Sequence, residues 1–188
     1  DCYSERGLHS LQRRAKTFWE VAAERGLRVF VVNWWATWPA PDGSGIVLSD
    51  RATLRLERGG DLDAEVAPAT LYPSLQAAWP ALRDAARRRV IEAFPDANNP
   101  DAAELRRAGE QDAVQVELAA RVFDAGADLR TIYLPGLDIA QHALIGPGGG
   151  AGLPASVMAA RVDALERYYV FLDALIAPLV DSPPAGSV

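Results

Sequence analysis

The sequence predicts an α/β layered fold, a mostly parallel central sheet flanked by helices, and three observations carry that expectation. Residues 28–33 (RVFVVN) form a nearly continuous apolar run, the pattern of a strand buried on both faces of a parallel sheet. Residues 129–134 (LRTIYL) form a second β-type run that Pro135-Gly136 stops. Around both lie long stretches of helical periodicity, and that order of elements layers helices against a sheet.

Taken in order, 13–25 has a helical pattern with Phe18, Trp19, Ala22 and Ala23 near one face, and Gly26 stands where a C-terminal cap belongs. After the first strand comes a loop rich in Trp, Pro and Gly over 34–45 (WWATWPAPDGSG), then a short extended piece at Ile46-Val47-Leu48. Residues 51–70 are polar and weakly patterned, so irregular structure is expected there, with 52–100 as a helical excursion from the core. A helix is predicted over 73–94, kinked or split by Pro80. Residues 96–100 (DANNP) make a turn, and Asp101 is the expected N-cap of a helix over 102–125 that buries Val114, Leu118, Val122 and Phe123. The second strand follows, then a flexible Gly-rich loop over 146–154. A long final helix over 155–179 places Leu165, Tyr168, Tyr169, Leu172 and Ile176 on its apolar side. Two strong strands are few for this many helices. The remaining strands are therefore expected outside this stretch, with 1–188 a single incomplete α/β domain cut from a larger one.

Composition narrows the function classes. The chain has 188 residues, 49% of them apolar and 23% charged, ordinary for a globular protein with a sizeable core. Its net charge is −6 and its only lysine is Lys16, with no basic stripe interleaved with aromatics, so no nucleic-acid-binding surface is evident. Cys2 is the only cysteine, which excludes an intrachain disulfide and a Cys-rich metal site. No apolar run reaches membrane-spanning length, and the compartment stays open.

The segment 133–142 (YLPGLDIAQH) carries the sharpest chemical signal. If the chain turns helical after Gly136, Asp138 and His142 lie one above the other on one face. A carboxylate and an imidazole at the end of a strand make half of a zinc site, at the place where open α/β sheets bind ligands. The same spacing also fits an N-cap aspartate and a surface histidine. The 34–40 segment (WWATWPA) is the second signal: Trp34, Trp35 and Trp38 directly after a strand form either a wall of a substrate cleft or a plug over the sheet edge. Thr37 has a hydroxyl but no base beside it in sequence, and no phosphate-binding loop or nucleophile elbow is present.

Two blocks together, 16–51 (KTFWEVAAERGLRVFVVNWWATWPAPDGSGIVLSDR) and 131–144 (TIYLPGLDIAQHAL), resemble the type I phosphodiesterase/nucleotide pyrophosphatase family of the alkaline phosphatase superfamily. The final helix, with Arg167-Tyr168-Tyr169 and Leu172-Asp173, resembles the helix that usually follows in that family. The resemblance implies an alkaline-phosphatase-like layered fold and metal-dependent hydrolysis of a small phosphate ester. It implies two zinc ions, or similar divalent metals, per complete site, with Asp138 and His142 holding one of them. The family's Ser or Thr nucleophile and its other ligands match no position here, which implies an internal fragment, inactive alone. Sulfatase, phosphonate hydrolase or phosphoglycerate mutase chemistry, or a non-catalytic α/β binding domain, are the alternatives.

Overall fold

The computed structural model describes residues 9–43, 45–96, 98–123, 126–150 and 152–180. It is α/β, with a four-stranded sheet in the order β3-β2-β1-β4. Strand β1 (Val29–Trp34) is central and pairs in parallel with β2 (Ile46–Ser49) and β4 (Leu129–Ile132). The short β3 (Val66–Ala67) pairs antiparallel with β2, so the sheet is mixed and mostly parallel. The described residues divide into two compact units, one within 9–79 and 121–133, the other within 80–120 and 134–180. The helices α3 (Tyr72–Ala93) and α4 (Pro100–Val122) each pass from one unit into the other.

The first unit is the sheet and what covers it. Val29, Phe30, Val31 and Val32 are all buried, as an apolar run without alternation requires of a central parallel strand. Helix α1 (Phe18–Glu24) starts at a capping box: the Thr17 hydroxyl accepts from the Glu20 amide, and Glu20 accepts from the Thr17 amide at 2.6 Å. It lays Trp19 on Val29, Val31, Val47 and Ala67. The helix starts five residues later than the 13–25 pattern and ends beside its expected end, with Gly26 at φ +81° in the left-handed position after the cap.

Residues 52–71 correct the expectation of irregular structure. They hold α2 (Ala52–Arg58), whose Ala52 and Leu56 are buried, followed by β3 and a single 3-10 turn. Pro80 neither splits α3 nor ends it. The second unit is helical: the remainder of α3 and α4, with α5 (Gly136–Leu144), the single turn α6 (Pro147–Gly150) and α7 (Ala155–Val180). Phe94, Tyr168 and Phe171 pack ring against ring at its centre, with centroids 5.3–5.9 Å apart. The buried side of α7 is Ala164, Leu165, Tyr168, Phe171 and Leu175; Tyr169 is half exposed, a rotation of the expected face by about one residue. The 146–154 loop contains α6, so it is not wholly irregular.

Candidate functional site

Helix α5 begins four residues after β4 ends, and the turn between them is the Tyr133-Leu134-Pro135 segment. Asp138 lies in its first turn and His142 in its last, each where the helix dipole favours that sign of charge. His142 Nε2 is 3.5 Å from Asp138 Oδ1, and the side chains are 72% and 71% exposed. Two ligands about 2.0–2.1 Å from one tetrahedral ion stand about 3.3 Å apart, so the separation of this pair matches that spacing, as it also matches a direct ion pair. A third ligand does not come with it: among the described residues no group of three His, Cys, Asp or Glu side chains converges. The pair fits two positions of a metal and leaves the others to be filled.

Sequence reasoning missed what holds this helix in place. Asp112 of α4 is fully buried and accepts two hydrogen bonds, from the Gly136 amide and from the Tyr168 hydroxyl, each at 2.8 Å. Its carboxylate thus caps the first turn of α5, which lacks a side-chain cap of its own. Burial pushes the Asp112 carboxyl up to about 6, against the two hydrogen bonds that pull it down. The Tyr168 hydroxyl is pushed well above its ordinary range by burial and by the Asp112 charge. The approach is close enough that a Cβ on Gly136 would collide with the Tyr168 hydroxyl and come within 2.5 Å of the Ala108 carbonyl oxygen and of Asp112 Oδ2. An acidic residue in a long, charged helix gives no local sign of this role. Only the bare Gly136 after a proline hints at it.

The three indoles of the 34–38 segment do not share one surface. A register shift between Val32 and Trp34 leaves Asn33 at φ +59°, a conformation Asn tolerates, with its Nδ2 donating to the Tyr133 carbonyl at 3.0 Å. Trp34 beyond it packs on Trp19 and Phe18, with centroids 5.5 and 5.8 Å apart, as part of the core. Trp35 is 66% exposed and meets Tyr133 edge-on. Trp38 is tied down: its Nε1 donates to the Asp63 carbonyl at 2.7 Å, and the Arg51 guanidinium lies over its ring at 3.8 Å. Of the three, Trp34 takes the role of a plug over the sheet, and Trp35 alone presents an open face.

Asp50 organises this loop and was not singled out from sequence. Its carboxylate accepts from the Ala36 and Trp38 amides at 3.1 and 3.0 Å. Thr37 is buried, accepts from the Asp50 amide and donates to the Trp34 carbonyl, so its hydroxyl staples a turn. His9 is half buried and edge-on to Trp38.

No helix of the described residues is long and apolar enough to cross a membrane. Compared with protein-family models, curated proteins and solved structures, the chain matches none.

Proposed function

We infer that this chain is the middle of a metal-dependent phosphohydrolase of the phosphodiesterase or nucleotide pyrophosphatase type, with an alkaline-phosphatase-like sheet. A Ser or Thr nucleophile and the remaining metal ligands would be carried outside these 188 residues. The observation that carries the inference is the 3.5 Å separation of Asp138 Oδ1 and His142 Nε2, the bite of one tetrahedral divalent ion. Its support is the setting: a helix that starts directly after a parallel strand, where α/β sheets place ligands. The Trp-Pro and Leu-Asp-x-x-x-His blocks of the sequence add a resemblance to that family. Bound there, a divalent metal would neutralise charge on phosphoryl oxygens and lower the pKa of a coordinated water. Asp138 and His142 would fix its position from one rigid face, needing no loop closure to bring them together.

A second reading is favoured by the same pair's exposure, 71% and 72%. An Asp and a His four residues apart on an open helix face also make an ordinary surface ion pair in a non-catalytic α/β binding domain.

The test uses the full-length polypeptide that contains this chain, purified with zinc. Metal content and turnover of bis(p-nitrophenyl) phosphate, of a phosphate monoester and of a sulfate ester are measured for wild type, Asp138→Ala and His142→Ala. The expected result is loss of one of two zinc ions and a fall in turnover on the order of 100-fold, since even residues behind a metal ligand cost 10–100-fold in affinity or activity. Unchanged zinc content and turnover in both variants would leave the binding-domain reading standing.

A further inference from the structure

We propose that the first unit carries a second, separate site, a small oxyanion pocket on α2 whose ligand is a phosphoryl group. Helix α2 and its N-cap residue Arg51 set Arg51, Leu54, Arg55 and Arg58 at i, i+3, i+4 and i+7, along one side of the helix. With Trp38, Asp63 and Glu65 these residues line one concavity of about 130 Å³, room for a tetrahedral oxyanion and little more.

Trp38, Arg51, Arg55 and Glu65 are each positioned by contacts within the protein. Trp38 is fixed through its Nε1–H to the Asp63 carbonyl and through its own amide to Asp50. Arg51 lies on the Trp38 ring at 3.8 Å, a contact that orients a guanidinium without neutralising it. Arg55 Nε donates to Glu65 Oε1 at 2.7 Å, and the Glu65 side chain is only 6% exposed, so that charge is spent. Glu65 is further engaged by the Asp63 amide at 2.5 Å. Arg51 and Arg58 have no carboxylate partner among the described residues.

Three arginines and two acidic residues, Asp63 and Glu65, line the pocket, a formal net charge of +1. Planar, always-charged guanidinium groups recognise phosphate oxygens by paired hydrogen bonds. Arg51 and Arg58 are the two with that capacity to spare, and the negative charge of Asp63 in the same lining works against an anion. The site is thus weak and tunable in both directions. It involves neither Asp138 nor His142, and it stands or falls independently of the phosphohydrolase reading.

The experiment is a titration of the 15N-labelled chain with inorganic phosphate and with phenyl phosphate, following the Trp38 Nε1–H resonance against sodium chloride at equal ionic strength. A saturable shift with a Kd of about 1–10 mM is expected, the weak end of specific binding. Arg58→Ala, at an exposed position that leaves the fold intact, should weaken binding about three- to fivefold, the size of a partly exposed ion pair. Asp63→Asn keeps the backbone carbonyl that holds Trp38 and should tighten binding by a similar factor of about three to five. Equal binding of the two probes assigns the site to the free oxyanion, and tighter phenyl phosphate assigns it to the phosphoryl end of an organic ester. A shift that chloride reproduces, or Arg58→Ala and Asp63→Asn both binding as wild type does, would overturn the proposal.

Discussion

Two carboxylates bear on helix α5 in opposite ways. Asp112 is fully buried, approaches from another helix, and accepts the first-turn amide of Gly136 and the Tyr168 hydroxyl. Asp138 belongs to α5 itself, is 71% exposed, and among the described residues pairs with His142, at 3.5 Å. The first is strongly coupled to folding because its partners have no water to turn to. The second is free to exchange its neighbour for water or a cation at little cost to the fold. One helix therefore has a rigid root and an open face, the division of labour a ligand-holding element needs.

The sharpest way to break that comparison is at Gly136. Its Cα stands where any Cβ would overlap the Tyr168 hydroxyl and crowd the Ala108 carbonyl. Gly136→Ala should destabilise the protein by about 3 kcal/mol or more, the overpacking cost of a site with no flexible neighbour to yield. Chemical denaturation measures it, and a loss below 1 kcal/mol would mean that the α5 root is loose.

Next in size is the pH dependence that Asp112 builds in. Its folded carboxyl titrates at about 6, above an ordinary value of 3.8, chiefly through burial. Between those values the folded state holds a proton that the unfolded state has released, so stability falls as pH rises through the window. Asp112→Asn keeps an acceptor for the Gly136 amide and removes the titration. Relative to wild type, the variant should gain about 2–3 kcal/mol as pH goes from 4 to 7. A stability difference flat across that range would show that Asp112 is not the buried acid described here. Glu20 and Asp128, whose carboxyls are held low, act with the opposite sign in both proteins and cancel from the difference.

What the sequence made legible follows the same line between local and nonlocal. The buried β1 run, the Gly26 cap, the α5 start and the Asp138–His142 spacing all lie within one or two turns of chain, and each formed. Strand β3 is two residues long and exists only because β2 lies beside it, so no pattern in 64–68 could announce it. Helix α2 was hidden by its own arginines, which look like loop polarity until Ala52 and Leu56 are seen buried between them. On α7 the run 168–172 (YYVFL) is apolar on every side, so periodicity left the buried face uncertain by one step, and packing chose Phe171 over Leu172. The tryptophan loop looked like one feature because its indoles are adjacent in sequence. The bulge at Asn33 and the clasp of Asp50 sent them to different surroundings. Asp112 and Asp50 were unreadable for one reason: the partners of Asp112 are 24 and 56 residues away, and those of Asp50 are 12–14.

The smallest expected effect tests the exposed side of the comparison. Asp138→Ala and His142→Ala should each change stability by less than about 0.5 kcal/mol, the worth of an open i,i+4 pair on a helix. The coupling between the two substitutions should be no more than about 0.5 kcal/mol, the worth of the exposed pair itself. Denaturation of the four proteins, singles, double and wild type, closes the cycle. A coupling above 1 kcal/mol would make the pair a structural brace of α5, and the case for it as a ligand pair would lose its premise. Small single effects and no coupling would mean that the fold does not require the pair. Asp138 and His142 would then be two side chains held 3.5 Å apart by a helix whose stability is secured elsewhere, at Asp112.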